Sequence, residues 1–394
     1  SFSKFTADSF VHADPDKGEA DYIQDMVTHA KTRKPSDDRP YILIPTFRDA
    51  KILARHSAQF DGIITLAAAD YDVMNAVDPK HHLMKTLEDL EIQAPRTWHP
   101  FTLSDLENTL GQISLPALIK AVDEVGGRGI DFIDTRADLA QRAAIRMESE
   151  TPPPLLQEGV DGEDYCLGVI YHNGELKAHM AYRNLQNMPS EGGAGAMRET
   201  VDDAPFLSAA NALMSAINWT GIAEIDFRWT GQPGDKPYLI EVNPRFWAGI
   251  FQSVESGVDF PWLLYHLYAY GYAPPSGEAD LNTKTRLPGL WLAGALKDAF
   301  SSDADMDGAK ADWTVMMSEI KDGAFDMAFA SLKSAFTKVT NFDEAIALLQ
   351  RQSRHARNAK SEIPISDDPM ASLGVFFVLS SLLRHGKLPD EMTR

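Results

Sequence analysis

Cysteine is nearly absent from this sequence, since Cys166 is the only one among 394 residues. A single cysteine excludes a disulfide framework and a cysteine-rich metal site. No apolar run approaches the roughly 20 residues that a bilayer-spanning helix needs. Basic residues are also scarce, and the net charge of −20 argues against a protein that coats nucleic acid. We therefore expect a soluble cytoplasmic protein with no membrane partner and no nucleic-acid partner.

Several motifs of nucleotide-binding proteins and hydrolases are also missing. The sequence has no G-x-x-x-x-G-K-[ST] loop, no H-E-x-x-H pair and no G-x-S-x-G elbow. What is present is enough apolar material for a folded core, because 44% of the residues are hydrophobic. A chain of this length is expected to form two or three packed units.

The first hundred residues alternate apolar runs with amphipathic segments. Residues 41–45 and 62–66 read as buried strands, and residues 49–59 carry apolar side chains at helical spacing between them. This order predicts a βαβ unit of a parallel sheet. A further helix is predicted over residues 80–90, and Pro95 prevents its continuation.

The first motif with chemical potential is a lysine on a predicted strand followed by a glycine-rich turn. Lys120 ends the strand 115–121, and the turn holds Gly126, Gly127, Arg128 and Gly129. Backbone N–H groups of such a loop can bind phosphate oxygens, and the lysine adds a fixed positive charge. Glycine clusters also form ordinary turns, so both interpretations stay open for this motif alone.

The second motif is a pair of strands, 222–229 and 237–243, on either side of a turn. Strand alternation places Glu224 and Asp226 on one face of the first strand, and Glu241 and Asn243 on one face of the second. If the strands pair as a hairpin, Asp226, Glu241 and Asn243 converge and offer the oxygen ligands that Mg²⁺ prefers. The alternative is a solvated sheet face, but the apolar neighbours favour a buried site.

The order of these motifs, with an Asn173-Gly174 hairpin between them, resembles the ATP-grasp superfamily over residues 40–270. Residues 240–246, Ile-Glu-Val-Asn-Pro-Arg-Phe, carry the most specific part of the resemblance, which is to ligases of the biotin carboxylase and D-alanine–D-alanine ligase type. The resemblance implies a mixed α/β and α+β fold in which two subdomains hold ATP behind an N-terminal domain with a parallel sheet. Relatives begin with a βα unit that we do not recognise here, so either about 30 to 40 residues precede residue 1, which we favour, or this domain is reduced.

Domain boundaries follow from the resemblance. We expect an N-terminal pre-ATP-grasp domain over residues 1–78 and an ATP-grasp domain over residues 79–280, divided into subdomains 79–155 and 156–280. Residues 281–394 are predicted to form a helical C-terminal region. Three roles stay open for that region, which are completing the core, covering the acceptor site and forming a homodimer interface.

The resemblance also assigns site residues. ATP phosphates are expected to contact Lys80, Lys120 and the loop of Gly126, Gly127, Arg128 and Gly129. Adenine is expected beside the Gln157 side chain and the backbone of Glu158 and Val160, and ribose beside Asp164, with Glu163 as its close competitor. Asp226, Glu241 and Asn243 match the ligands of Mg²⁺ or Mn²⁺. Arg245, Arg183 and Lys120 are expected to stabilise the transferred phosphoryl group and the acceptor.

The function that this resemblance implies is an ADP-forming ligase. ATP would phosphorylate a small-molecule carboxylate, and an amine or another nucleophile would displace phosphate from the acylphosphate. Two alternatives use the same nucleotide site: a kinase or other phosphotransferase, and a nucleotide-binding subunit without ligase activity. The identities of the acid and the amine are not readable from the sequence.

Overall fold

The computed structural model describes residues 3–47, 49–122, 129–188, 194–287 and 358–362, with scattered residues between 311 and 334. The chain divides into two compact units. The first comprises Ser3–Asn184 and Arg198–Thr283, and the second comprises Leu185–Met197 and Lys284–Arg394. The predicted glycine loop residues Gly126, Gly127 and Arg128 lie outside the described residues.

The first unit begins with a small parallel sheet flanked by helices. Its elements in chain order are α1 (Glu19–Thr32), β1 (Ile42–Leu43), α2 (Asp49–Arg55), a 3₁₀ helix (Ser57–Phe60), β2 (Thr65–Leu66) and α3 (Tyr71–Asn75). Strands β1 and β2 pair in parallel, which confirms the βαβ prediction. The sequence analysis did not predict α1, although Glu19 and Asp21 in its first turn and Lys31 in its last turn suit the helix dipole.

A four-stranded antiparallel sheet follows in the same unit. Its elements are α4 (Lys80–Asp89), β3 (Thr97–Trp98), α5 (Leu103–Leu110), β4 (Ala117–Lys120), β5 (Ile130–Ile133), α6 (Arg136–Ser149) and β6 (Leu155–Glu158). The strand order is β3-β6-β4-β5. Helices α5 and α6 pack Leu106 and Leu139 against Ile119 of β4, and the sheet thereby fixes the strand that ends at Lys120. Both the α4 helix and the strand before the glycine turn agree with the predictions.

Most of a larger sheet also lies in the first unit. Its elements are β7 (Glu163–His172), β8 (Glu175–Met188), β9 (Ala194–Val201), α7 (Ala204–Ala216), β10 (Gly221–Trp229), β11 (Tyr238–Asn243), α8 (Ile250–Glu255) and α9 (Phe260–Tyr270). The strand order is β11-β10-β7-β8-β9. Asn173 and Gly174 join β7 to β8 with φ of 52° and 74°, and this confirms the predicted two-residue turn.

The two faces of this sheet have different cores. Phe206 of α7 packs on the face that carries Leu167 and Phe227, whereas Phe260 of α9 packs on the face that carries Cys166 and Ile222. Strand alternation therefore gives the two faces of the sheet separate apolar cores.

The described part of the second unit contains the end of β8, the start of β9 and two further short strands. They are β12 (Lys284–Arg286) and β13 (Lys360–Ser361), and they pair in parallel. The sequence analysis predicted a helical region over 281–394 and did not predict these strands, while most of that region lies outside the described residues. Within the part of the chain that the structure describes, no helix has both the length and the apolar character needed to cross a membrane.

Candidate active site

Two rows of side chains cross one face of the large sheet. From β11 to β8, the first row is Glu241, Asp226, Cys166 and Tyr182, and the second row is Asn243, Glu224, Gly168 and Met180. Residues two apart in a strand share a face, so both rows point to the same side of the sheet. The antiparallel pairing of β10 with β11 therefore places the predicted ligand residues next to one another.

The side chains of these rows are in contact. Asn243 Nδ2 donates to Asp226 Oδ2 at 3.2 Å and to Glu224 Oε2 at 3.3 Å. The other oxygen, Asp226 Oδ1, is buried and has no hydrogen-bond partner among the described residues. Asp226 and Asn243 are thus in contact, Glu224 joins them, and Glu241 is the cross-strand neighbour of Asp226, but the Asn243 oxygen does not converge with the carboxylates as predicted. Their role as metal ligands stays a prediction.

Burial dominates the electrostatics of this group. Glu224 is only 6% exposed, and burial raises its pKa from 4.5 to about 7, although the Tyr182 hydroxyl and the charges of Arg245 and Arg198 act in the opposite direction. Burial also raises the pKa of Asp226, and the neighbouring charges of Glu224 and Glu241 add to that rise. Buried carboxylates this close repel one another unless a cation compensates them. The oxygen donors and the orphaned Asp226 Oδ1 therefore fit a divalent cation.

Two lysines bring positive charge to the carboxylates from the N-terminal side. Lys80 is the first residue of α4, and its Nζ lies 3.4 Å from Glu241 Oε1. Lys120 is 9% exposed at the end of β4, and burial lowers its pKa to about 8, while the charge of Glu241 partly offsets this effect. The positive charge of Lys80 lowers the same pKa further, so the two ammonium groups act on one region of the site.

Arg245 lies beyond the end of β11 and is held without a carboxylate partner. Its NH2 donates to Asn243 Oδ1 at 2.9 Å, its NH1 donates to the Phe246 carbonyl at 2.9 Å, and the Phe47 ring centroid lies 4.7 Å from its Cζ. No carboxylate oxygen lies within 4.0 Å of it in the part of the chain that the structure describes. Its positive charge is therefore available to an anion.

The predicted adenine segment is more occupied than the sequence suggested. The Gln157 side chain is 2% exposed and donates to Thr97 Oγ1 at 2.8 Å, so it is not available to adenine. The Glu158 N–H donates to the Arg96 carbonyl at 3.0 Å within the sheet. Among the described residues, the Val160 N–H donates to no acceptor. The Gln157 side chain and the Glu158 N–H are therefore engaged within the protein, and adenine contacts of the Glu158 and Val160 backbone stay predictions.

Strand alternation separates the two candidates for the ribose. Asp164 shares the face of Asp226, and its Oδ1 accepts from Arg228 NH1 at 2.6 Å. Glu163 lies on the opposite face and pairs with Arg183 at 3.4 Å. The structure therefore places Asp164 on the side of the proposed site and does not place Glu163 there.

Arg183 requires a correction. It stands opposite Tyr165 in β7, one position away from the row of Tyr182, and so belongs to the other face of the sheet. Its guanidinium is already paired, because NH2 lies 2.8 Å from Glu199 Oε2. The proximity of Arg183 to the glycine-rich loop in sequence was misleading, since a shift of one residue in a strand reverses the face.

Sequence reasoning missed three residues of the site. The face of Glu224 was predicted, but no role was given to it. The position of Tyr182 followed in principle from the Asn173-Gly174 turn, because that turn fixes the register of β8 on β7. Phe47 follows β1, and nothing in its local sequence indicates that it contacts a residue some 200 positions away.

Three comparisons with known proteins agree on the fold. Residues 150–285 match the family model described as "ATP-grasp in the biosynthetic pathway with Ter operon". The carbamoyl phosphate synthase large chain of Myxococcus xanthus (strain DK1622) is 23% identical over 252 residues, which cover 60% of this chain and 23% of that protein. The match therefore spans about a quarter of the curated relative.

Solved structures extend the comparison. Biotin carboxylase from Campylobacter jejuni superposes with a TM-score of 0.55 and 16% identity, covering 68% of this chain and 62% of that chain. A second neighbour is the biotin carboxylase domain dimer of the 2-oxoglutarate carboxylase from Hydrogenobacter thermophilus, which was solved with MgADP, ADP and bicarbonate. Its TM-score is 0.55 and its sequence identity is 15%, and the match covers 68% of this chain and 61% of that chain. The chain has the fold of these proteins, and its residues 150–285 match an ATP-grasp family model.

Proposed function

We propose that this protein is an ATP-dependent ligase that joins a carboxylate to an amine through an acylphosphate and releases ADP and phosphate. One observation carries the proposal. The buried carboxylates of β10 and the partly exposed Glu241 of β11 are flanked by Lys80 and by Arg245, which pairs with no carboxylate among the described residues. Positive charge for a nucleotide and positive charge for a second anion thus lie on either side of one candidate cation site.

The chain's own residues would divide the binding of ATP among them. The Val160 N–H would donate to the adenine edge, Asp164 would accept from the ribose, and Lys80 and Lys120 would hold the phosphate oxygens. Asp226, Glu241, Asn243 and Glu224 would hold Mg²⁺ or Mn²⁺, which neutralises negative charge on the phosphates when bound. The MgADP in the 2-oxoglutarate carboxylase domain supports this assignment by analogy of fold.

The chemical step would use the second anion. An oxygen of the acid attacks the γ-phosphorus, the bond to the β-phosphate oxygen breaks, and ADP leaves. Arg245 would orient the attacking carboxylate and stabilise the charge that builds up during transfer. The amine nitrogen then forms a bond to the acyl carbon, phosphate leaves with the bonding electrons, and the amine gives up a proton.

A hydroxylamine trap tests the proposal without knowledge of the amine. The full chain is incubated with ATP, Mg²⁺, hydroxylamine and one acid at a time from a panel that includes amino acids, dicarboxylates and bicarbonate. The last is included because the 2-oxoglutarate carboxylase domain was solved with it. We expect ADP and a hydroxamate in equal amounts for the correct acid, and no hydroxamate with Asp226→Asn.

Isotope transfer decides between the alternatives. An acid labelled with ¹⁸O in its carboxylate transfers one labelled oxygen to phosphate if an acylphosphate forms and is displaced. A stable phosphorylated product would indicate a kinase, and nucleotide binding without turnover on any acid would indicate a binding subunit. Either result overturns the ligase proposal.

A further inference from the structure

The amide of Asn243 is turned with its oxygen away from the carboxylates. Its Oδ1 lies 2.9 Å from Arg245 NH2, which can only donate, and its Nδ2 lies within 3.3 Å of oxygens of both Glu224 and Asp226. The identities of these neighbours therefore fix which end of the amide is oxygen. A cation between Asp226 and Glu241 would require that oxygen to face the opposite way.

Glu224 is the residue that anchors the amide in this orientation. Its second oxygen accepts from the Tyr182 hydroxyl, so the carboxylate is held from both ends. Tyr182 in turn packs on Gly249, where a Cβ atom would lie 2.5 Å from the Tyr182 hydroxyl oxygen. The acceptor end of the site, from Arg245 to Gly249, is thereby packed against the same tyrosine that fixes Glu224.

We propose that Glu224 is a positioning residue that keeps the Asn243 oxygen on Arg245, and that a divalent cation reverses this amide and releases Arg245 to an anionic substrate. The inference rests on the proposed function, because it describes how the cation site and the acceptor site are connected. It implies an order of binding in which the cation precedes the acid.

The direction of the change follows from the donors and acceptors involved. A cation attracts the amide oxygen and repels the Nδ2 hydrogens, so the amide turns by half a revolution. Nδ2 then faces Arg245 NH2, and two donors cannot bond to each other. The guanidinium loses one of its two hydrogen-bond acceptors and retains the Phe246 carbonyl and the Phe47 ring. An incoming carboxylate would replace the acceptor that it has lost.

The release of Arg245 can be measured without any substrate. Phenylglyoxal modifies accessible guanidinium groups more slowly when hydrogen bonds hold them, and peptide mass spectrometry reports the rate for Arg245 separately from the rate for Arg39, an exposed side chain paired with Asp37. We expect Mg²⁺ or Mn²⁺ alone to accelerate modification of Arg245 about tenfold, as expected for loss of one hydrogen bond to a charged group. Arg39 serves as the internal control and should not change.

Variants separate the effect of the Asn243 amide on the reactivity of Arg245 from the direct effect of the cation charge. In Asn243→Ala, Arg245 should react at the fast rate with or without cation, because no amide oxygen holds it. Glu224→Gln should raise the cation-free rate several-fold, whereas Glu163→Gln, on the opposite face, should leave it unchanged. If Asn243→Ala still shows the full acceleration by cation, the charge alone is responsible and the proposed relay through Asn243 is wrong.

A crystal structure with Mn²⁺ provides a check that does not depend on the variants folding. The expected result is a bond from Mn²⁺ to Asn243 Oδ1 and no contact between that oxygen and Arg245. A structure in which Mn²⁺ is bound while Oδ1 remains on Arg245 overturns the inference. Neither experiment involves turnover, so the inference can fail while the hydroxamate test succeeds, and the reverse also holds.

Discussion

At the scale of single residues, the buried ammonium of Lys120 predicts the pH dependence of nucleotide binding. Burial lowers its pKa from 10.5 to about 8, so the charge that attracts phosphate is lost as the pH rises through about 8. We expect the affinity for ADP, measured by isothermal titration, to fall by about tenfold between about pH 7.5 and 9.5. Bound phosphate would itself shift the midpoint upward, because it favours the charged lysine.

The Lys120→Arg variant is the matched control, because a guanidinium stays protonated over this range. Its affinity for ADP should be nearly independent of pH above about 7.5, whatever its absolute value. If the affinity of the variant for ADP fell as steeply with rising pH, a group other than Lys120 would be responsible for the titration. Stability has the opposite sign: the unfolded chain keeps this proton up to about 10.5, so the free energy of unfolding should rise between about pH 8 and 10.5.

The two arginines named from the sequence should behave differently. Arg245→Ala is expected to lower turnover by about 10²- to 10³-fold with little change in nucleotide affinity, because the proposed function places its charge beside the acceptor rather than the nucleotide. Arg183→Ala removes a charge already paired with Glu199 on the other face of the sheet, so turnover should stay within about twofold. The measurement is steady-state ADP release with the acid found in the hydroxamate screen. Equal losses of turnover in the two variants would contradict the conclusion that Arg245 belongs to the site and Arg183 does not.

At the scale of secondary-structure elements, the segment after β6 offers one backbone donor to a nucleotide. Val160→Pro removes that N–H and should weaken ADP binding about fivefold to tenfold, the effect of one hydrogen bond. Val160→Ala keeps the N–H and should bind as the wild type does. Isothermal titration of both variants at one pH decides, and equal affinities for all three proteins would remove Val160 from the adenine site.

Elements were predictable where local sequence determined geometry. The Asn173-Gly174 turn needs two residues with positive φ, and alternation along β10 and β11 was enough to bring Asp226 and Glu241 together. Arg183 was named from its place before a glycine-rich loop, and the register that follows from the Asn173-Gly174 turn puts it on the face opposite Asp226. The orientation of the Asn243 amide depends on Arg245 and Glu224 together, and no local pattern encodes it.

At the scale of the whole molecule, the carboxylate cluster should lower stability in the absence of a cation. The pKa of Asp226 is higher in the folded state than in the unfolded state, so its ionised form opposes folding as the pH rises above about 4. Asp226→Asn should therefore raise Tm at pH 7 in EDTA, by about 2 to 4 °C for each kcal/mol regained.

Added Mg²⁺ should raise the Tm of the wild-type protein above that of Asp226→Asn. The wild-type protein should gain Tm with MgCl₂ beyond the gain in NaCl of the same ionic strength, and Asp226→Asn should gain none. A cation effect that survives in the variant would place the binding site elsewhere. A variant that simply folds poorly cannot give both results, because it would have a lower Tm than the wild type in EDTA rather than a higher one.

The position of Cys166 has a practical consequence for studying the whole chain. It is the only thiol in the protein, it is buried, and burial raises its pKa well above the usual value. An alkylating reagent can therefore reach it only when strands β7 and β10 separate locally or the molecule unfolds. The alkylation rate of this single thiol would therefore report, without any engineered label, how often β7 and β10 separate. Comparing the rate with and without nucleotide or cation would show whether either ligand suppresses that opening.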